Sequence, residues 1–301
     1  MIYNNIIETV GNTPVLRFRN FESENSAEIY GKLEFFNPGG SIKDRIAIYI
    51  MNSMIKSGRV KAGDTIVEPT SGNTGIGIAM AAAVYGLRAV MVMPETMSIE
   101  RQKILRAYGA EIVLTSGKDG MNGAVKEAER LVKEKGYKMF DQFNNPENSE
   151  AHMKSTALEI IKDFDKLDAF IAGVGTGGTV TGNGTVLKKN YENIEIIAVE
   201  PDVSPVLSGG NPGPHKLQGI GANFVPSILD MNLIDVIEKI SAEDAYKNAV
   251  KSASTMGVML GISGGASLSA AIRTAERLGK GKKVLFMVPD NGERYLSTDL
   301  Y

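Results

Sequence analysis

Short apolar runs alternate with helical stretches along the whole chain, and this alternation restricts it to few folds. Residues 89–93 form an apolar run closed by Pro94. Residues 65–68, 111–114, 138–140, 169–172, 194–199, 236–240 and 283–288 are similar short candidates, read with a candidate strand at 28–33. Runs of this length bounded by turn residues read as strands, the most apolar of them buried on both faces. Between them lie helical patterns. Ile46, Ala47, Ile50, Met51, Met54 and Ile55 share one face, and 76–85 is apolar all round. Ser98 can cap a helix through Ile104, Leu105 and Tyr108 that stops at Gly109, and further helices are expected at 123–135, 150–164, 180–189, from Ser241 with Asp244, and at 267–278. Strand and helix in alternation predict an α/β fold of mostly parallel, twisted sheets flanked by helices. The Asn- and Pro-rich stretch 144–149 predicts a boundary between an N-terminal domain, 1–146, and a C-terminal domain, 147–301. Residues 201–232, rich in Gly, Pro and Asn, are expected to be irregular.

The 301 residues, 43% hydrophobic, are enough for two domains with real cores. A net charge of −2 with the signs interspersed gives no basic stripe for nucleic acid and no polybasic run for an anionic membrane. With no cysteine, disulfides, thiolate metal sites and a cysteine nucleophile are excluded, and the two histidines make a multi-histidine metal site unexpected. The opening residues carry no basic and apolar leader pattern and no run approaches the ~20 residues of a membrane span, so a cytoplasmic chain is expected.

Four stretches carry chemistry. In Asn37-Pro38-Gly39-Gly40-Ser41-Ile42-Lys43-Asp44-Arg45, Ser41 with Asp44 resembles a capping box, which places Lys43 in the first turn of a helix. The positive end of the helix favours a neutral amine or an imine there, a chemistry suited to covalent catalysis on a carbonyl cofactor. Thr70-Ser71-Gly72-Asn73-Thr74-Gly75 lies between a strand and a buried helix. Its hydroxyls and helix-end N–H groups suit a carboxylate, Asn73 can donate to a phenolate-type oxygen, and Gln142 can add a donor. Gly173-Val174-Gly175-Thr176-Gly177-Gly178-Thr179 joins a strand to a helix and suits a phosphate. It also matches the dinucleotide pattern G-x-G-x-x-G, with Glu200 near the required acid, so a nicotinamide-dependent oxidoreductase stays open. In 261–265, read as a loop, Ser263 can hydrogen-bond a neutral pyridine nitrogen or simply cap the next helix. His152 reads as structural and His215 as exposed in a Pro/Gly loop.

Taken in order, five motifs resemble those of cysteine synthase (O-acetylserine sulfhydrylase), a β-family, fold-type II pyridoxal-phosphate enzyme. They are the Asn37–Arg45 stretch, Glu68-Pro69-Thr70-Ser71-Gly72-Asn73-Thr74-Gly75, Gly175-Thr176-Gly177-Gly178-Thr179, Gly219-Ile220-Gly221-Ala222 and Gly292-Glu293-Arg294-Tyr295-Leu296-Ser297-Thr298, and the resemblance runs from about Ile6 to Thr298. It implies two domains with the active site in the cleft between them, residues 13–34 laid on the other domain, and a part at about 87–131 that closes over substrate. It implies pyridoxal 5′-phosphate as an imine on Lys43, Asn73 at the ring's 3′ oxygen, Gly175, Thr176, Gly177, Gly178 and Thr179 at the phosphate, and Ser263 at the ring nitrogen. Thr70, Ser71, Thr74 and Gln142 would clamp the substrate α-carboxylate, with Gly219 and Asn223 also beside the substrate. The implied reaction is β-replacement, O-acetyl-L-serine plus sulfide giving L-cysteine plus acetate through an aminoacrylate. Implied partners are a second copy of the chain and the C-terminal tail of serine acetyltransferase.

The sequence departs from the family pattern at Gly264, where a second serine is usual, at Asn223, where a glycine is usual, and at Pro289-Asp290-Asn291-Gly292. Asn223 leaves room for L-cysteine as the donor, releasing hydrogen sulfide and forming lanthionine or serine, or for a cystathionine β-synthase-like reaction.

Overall fold

A computed structural model describes residues 2–70 and 72–301. In chain order the elements are β1 (Val15–Arg17), β2 (Glu28–Leu33), α1 (Lys43–Lys56), β3 (Thr65–Pro69), α2 (Asn73–Tyr85), β4 (Arg88–Pro94), α3 (Ile99–Ala107), β5 (Glu111–Thr115), α4 (Gly120–Lys135) and β6 (Lys138–Met139). They continue with α5 (Glu147–Lys154), α6 (Thr156–Asp163), β7 (Ala169–Gly173), α7 (Gly178–Asn190), β8 (Glu195–Pro201), β9 (Val236–Ile240), α8 (Ala242–Met256), α9 (Ile262–Leu278) and β10 (Lys283–Val288). Between Pro201 and Val236 none of these elements occurs.

The chain divides into two compact units, Met1–Val10 with Asn37–Glu147, and Gly11–Phe36 with Asn148–Tyr301. The first contains a sheet in the order β5-β4-β3-β6, parallel throughout. Val67, Val90 and Val92 of this sheet pack on Ala124, Ala128 and Leu131 of α4. The second contains the order β1-β2-β10-β7-β8-β9, parallel except for the β1–β2 pair. Its core includes Phe18 packed edge-on to Phe286, ring centres 4.9 Å apart. Both sheets are covered by helices, as the apolar strand runs require.

α1 buries Ile46, Ala47, Ile50, Met51 and Met54. α2 is buried from Thr74 to Ala82 and reaches the surface only in its last turn, where Val84 is exposed and Gly86 ends the helix at φ +65°. Three differences from the sequence reading bear on the packing. The helix expected over 150–164 is two helices broken at Ser155, whose hydroxyl donates to the Ala151 carbonyl at 2.6 Å. Such side-chain bonding competes with the helical ladder. β1 carries no apolar alternation and exists through its pairing with β2, Val15 opposite Lys32.

The third difference lies at 261–265. The sequence predicts a loop here, yet the helix begins at Ile262 and Gly264 and Gly265 lie within it. A Cβ on Gly265 would stand 2.3 Å from the Ala245 carbonyl, so the glycine is there for the close approach of α8. At Gly264 a Cβ would make ordinary contacts of 3.5 Å or more. Gly264→Ala should therefore leave thermal stability unchanged or raise it by roughly 0.5–1 kcal/mol, the helical cost of glycine. Gly265→Ala should lower the unfolding temperature; equal unfolding temperatures for the two variants would contradict this packing.

Candidate active site

In the first unit the turn at 37–40 leads into α1, the Gly40 N–H donating to Asn37 O at 2.8 Å. Asp44 does not complete a capping box. Its carboxylate, fully buried, turns back to accept the Gly39 N–H at 2.6 Å, and Ser41 Oγ accepts the Lys43 N–H at 3.2 Å. Lys43 is the first residue of α1 and partly buried. α2 packs on the same turn, since a Cβ on Gly77 would stand 3.2 Å from the Lys43 carbonyl. Asn73 is the first residue of α2. The hydroxyl of Thr70 accepts the Gly72 N–H at 3.2 Å. Ser71 lies outside the described residues.

Thr74 and Gln142, distant in sequence, meet as a buried pair with Thr74 Oγ1 donating to Gln142 Oε1 at 2.7 Å. That bond sets the amide oxygen towards Thr74, and the Gln142 side chain also interacts with the Glu68 carboxyl. Behind the pair is Glu68 of β3, 1% exposed. Its Oε2 accepts the Asp141 N–H at 2.9 Å and its Oε1 the Gln142 N–H at 3.3 Å. Burial outweighs these donors and pushes the Glu68 carboxyl up to about 8.

In the second unit, Gly177 precedes α7 at φ +89° and, being a glycine, offers the helix no side-chain cap of its own. The positive end of α7 lies at Gly178, a setting that favours an anion. Hydroxyls flank it. Thr176 Oγ1 accepts from Asn148 Nδ2 at 3.0 Å and keeps its own proton to donate, and Thr179 Oγ1 lies 3.3 Å from His152 Nε2. His152 is 1% exposed and its Nδ1 meets Thr156 Oγ1 at 2.9 Å, an internal brace for this turn. Asn148 presses so close that a Cβ on Gly178 would fall 2.0 Å from its Oδ1. Gly175 packs on the Gly219 carbonyl, and Gly219 in turn stands beside Ser263 in the first turn of α9. Gly175, Gly219 and Ser263, distant in sequence, are thus brought together.

Asn223 lies on the continuation of that segment, left-handed at φ +65°, its Oδ1 accepting from Ser204 Oγ at 2.8 Å. His215, expected to be exposed, is partly buried and joined through Nε2 to the Gly221 carbonyl at 2.8 Å. Glu200 is occupied locally. Its oxygens take the N–H groups of Leu207 at 2.7 Å and Ser208 at 3.2 Å and the Ser208 hydroxyl, so Glu200 is turned to its own loop and not to a ribose. The dinucleotide reading fails there.

Residues 6–290 match the model of the pyridoxal-phosphate dependent enzyme family. The chain belongs to this family. A cysteine synthase of Staphylococcus aureus is 53% identical over 300 residues, 99% of this chain and 97% of that protein. The crystal structure of the cysteine synthase (OASS) of Entamoeba histolytica superposes with a TM-score of 0.97 at 45% identity, covering 100% of this chain and 91% of that one. A hydrogen sulfide-producing enzyme of Fusobacterium nucleatum superposes with a TM-score of 0.94 at 42% identity, covering 98% and 99%. The cofactor is therefore pyridoxal 5′-phosphate, and the fold is that of the fold-type II enzymes.

The donors present suit this group. The α7 turn offers an uncapped helix end and two hydroxyls to a phosphate, Lys43 an amine to an aldehyde, and Ser263, 4% exposed, a hydroxyl to a ring nitrogen. Two supporting residues escape sequence reading. Asn148 lies in a stretch that reads as linker, and Glu68 looks like an ordinary strand end, although a carboxyl on an apolar central strand signals a buried partner.

The raised Glu68 carboxyl has a consequence for stability. The folded chain keeps a proton that the unfolded chain releases above its ordinary value of 4.5, so stability falls as pH rises from about 4.5 to about 8. Thermal unfolding of Glu68→Gln should decline less with pH across this window than that of the parent; parallel curves would show that Glu68 does not take part.

Proposed function

We propose that the chain carries out β-replacement on an amino acid, converting O-acetyl-L-serine and sulfide to L-cysteine and acetate, with Lys43 as the residue that bears the cofactor. The observation that carries this reading is the 53% identity to a cysteine synthase across nearly the entire chain. When bound, pyridoxal phosphate supplies an electron sink that makes loss of a β-substituent feasible. Gly175, Thr176, Gly177, Gly178 and Thr179 take its phosphate, supported by the uncapped end of α7. Asn73 donates to the ring oxygen. Ser263 would meet the ring nitrogen with a hydroxyl, too weak an acid to protonate it, which would suit the group to elimination of a β-substituent.

Thr70, Ser71, Thr74 and Gln142 bind the substrate α-carboxylate, supported by the buried Thr74–Gln142 pair. The Lys43 amine takes the α-proton as a general base. Gly219 and Asn223 line the side of the substrate. Residues 87–131 close over the carboxylate and exclude water. The enzyme works as a homodimer in the cytoplasm, and it receives the C-terminal tail of a serine acetyltransferase. Among the described residues no helix is long and apolar enough to cross a membrane. Light scattering at about twice the chain mass is expected for the dimer, and a monomer at assay concentration would refute it.

The main test is an assay of the purified holoenzyme with O-acetylserine and sulfide. Cysteine should form, a visible absorbance band should mark the lysine-bound cofactor, and Lys43→Ala should lose turnover by roughly 10³-fold, within the range of general-base losses. A colourless protein, or a Lys43→Ala variant with parental turnover, would overturn the assignment. A second reading is favoured by Asn223, which puts a carboxamide held by Ser204 where the family pattern has no side chain. Here L-cysteine is the donor and sulfide the product. Incubation with cysteine alone should then release sulfide and Asn223→Gly should slow that release; no sulfide from the parent would leave O-acetylserine as the donor.

A further inference from the structure

The β3–β6 ladder ends in an unusual way. β6 pairs with β3 through Ile66 opposite Lys138 and Val67 opposite Met139, and the Phe140 N–H still donates to the Val67 carbonyl at 3.1 Å. The next two N–H groups, of Asp141 and Gln142, leave the ladder for the two oxygens of the Glu68 side chain at 2.9 and 3.3 Å. The side chain of β3 thus takes over where its backbone stops. The change of acceptor coincides with a sharp turn of the chain, Asp141 standing at φ +58°. Only Asn12 and Asn223 share such a conformation among the described non-glycine residues. A left-handed aspartate costs energy and persists where its surroundings enforce it. Beyond the turn the loop ties itself together: Asn144 and Asn145 N–H donate to the Asp141 carbonyl at 3.2 and 3.0 Å, and Asn144 Nδ2 to Asp141 Oδ1 at 2.8 Å. None of those bonds engages the N–H groups of Asp141 and Gln142. Glu68 does, and Gln142 is the next residue after the turn, its side chain set against Thr74 at 2.7 Å.

We infer that Glu68 is a positioning residue for substrate binding: its buried carboxyl holds the Asp141–Gln142 backbone in the turned conformation that points the Gln142 amide at the substrate α-carboxylate. The inference rests on the reading of Gln142 as a carboxylate contact. Glu68 itself touches no substrate. A glutamine at position 68 accepts through one oxygen only and sets its NH2 group against one of the two backbone N–H groups, so one end of the clamp opens.

The test is kinetic and uses holoenzyme. Glu68→Gln should keep the cofactor's visible band and a kcat within about threefold of the parent, while KM for the amino-acid donor rises on the order of tenfold, about the effect of one lost hydrogen bond to a charged group. Backbone amide exchange should quicken over 140–145 and stay unchanged in α2 and β4, a local signature that general destabilisation would not produce. Gln142→Ala should raise KM by itself, and Glu68→Gln should add little in that background, because both act through one contact. If Gln142→Ala raises KM and Glu68→Gln does not, the positioning role is wrong and the carboxylate site stands. If Gln142→Ala leaves KM unchanged, the carboxylate reading fails and the inference falls with it. Should Glu68→Gln not fold, Glu68→Asp, too short to reach both N–H groups, must show the same rise in KM without loss of kcat; an unchanged KM in that variant overturns the proposal.

Discussion

The backbone N–H groups at the start of a helix have no partner within it and must find an acceptor elsewhere. Of the helices that carry the candidate residues, α1, α2, α7 and α9, none is capped by the side chain of its N-cap residue. Glycine occupies that position before α2, α7 and α9, so no hydroxyl or carboxylate is available there to take the N–H groups. α3 and α8 are closed by Ser98 and Ser241 in the ordinary way. The starts of α2 and α7, which follow the parallel strands β3 and β7, are of the kind that receives anions. Pyridoxal phosphate and an amino acid together bring a phosphate and a carboxylate, and the chain has an uncapped turn to offer each.

Openness at those turns is matched by stiffness behind them. Asn148 and His152 brace the α7 turn from α5, each through one threonine of the glycine loop. Glu68 braces the Gln142 turn from β3. The two braces differ in their response to solvent conditions. The first runs through two threonine hydroxyls and a buried histidine, whereas the second depends on a carboxyl that burial keeps protonated to a higher pH than usual. A bare carboxylate at that depth would be costly without partners, and the two N–H groups supply them.

Much of this is legible in the sequence, and for identifiable reasons. Parallel strands buried on both faces read as unbroken apolar runs, and Glu111–Thr115, Lys283–Val288 and their neighbours fall within a residue or two of expectation. The glycine loops announce strand-to-helix turns because few other structures use four glycines in seven residues. What fails is local reading where packing decides. Gly264 and Gly265 look like loop residues, since helix propensity cannot register that α8 demands a bare Cα at Gly265. Asp44 looks like a cap, since spacing alone does not show that its carboxylate turns back to Gly39. Glu68, a carboxyl on an apolar strand, signals that some partner is buried with it but not which one, because its partners lie 73 and 74 residues further along the chain.

Asn223 shows how a departure from a family pattern can leave the backbone unchanged and still alter the chemistry. The position is left-handed, which explains a preference for glycine, and asparagine is among the few other residues that adopt this conformation at low cost. The backbone therefore tolerates the exchange. The added carboxamide is not loose, since Ser204 donates to its oxygen and orients its NH2 group. Gly219 of the same segment stands against Gly175 and Ser263, and His215 pins the Gly221 carbonyl between them. A donor group fixed on a segment held at both places can discriminate between leaving groups or acceptors that differ in hydrogen-bonding capacity, because a polar group left unpaired in such a setting costs more than an apolar mismatch. The carboxamide at position 223 is thus a side chain that the fold permits and does not require.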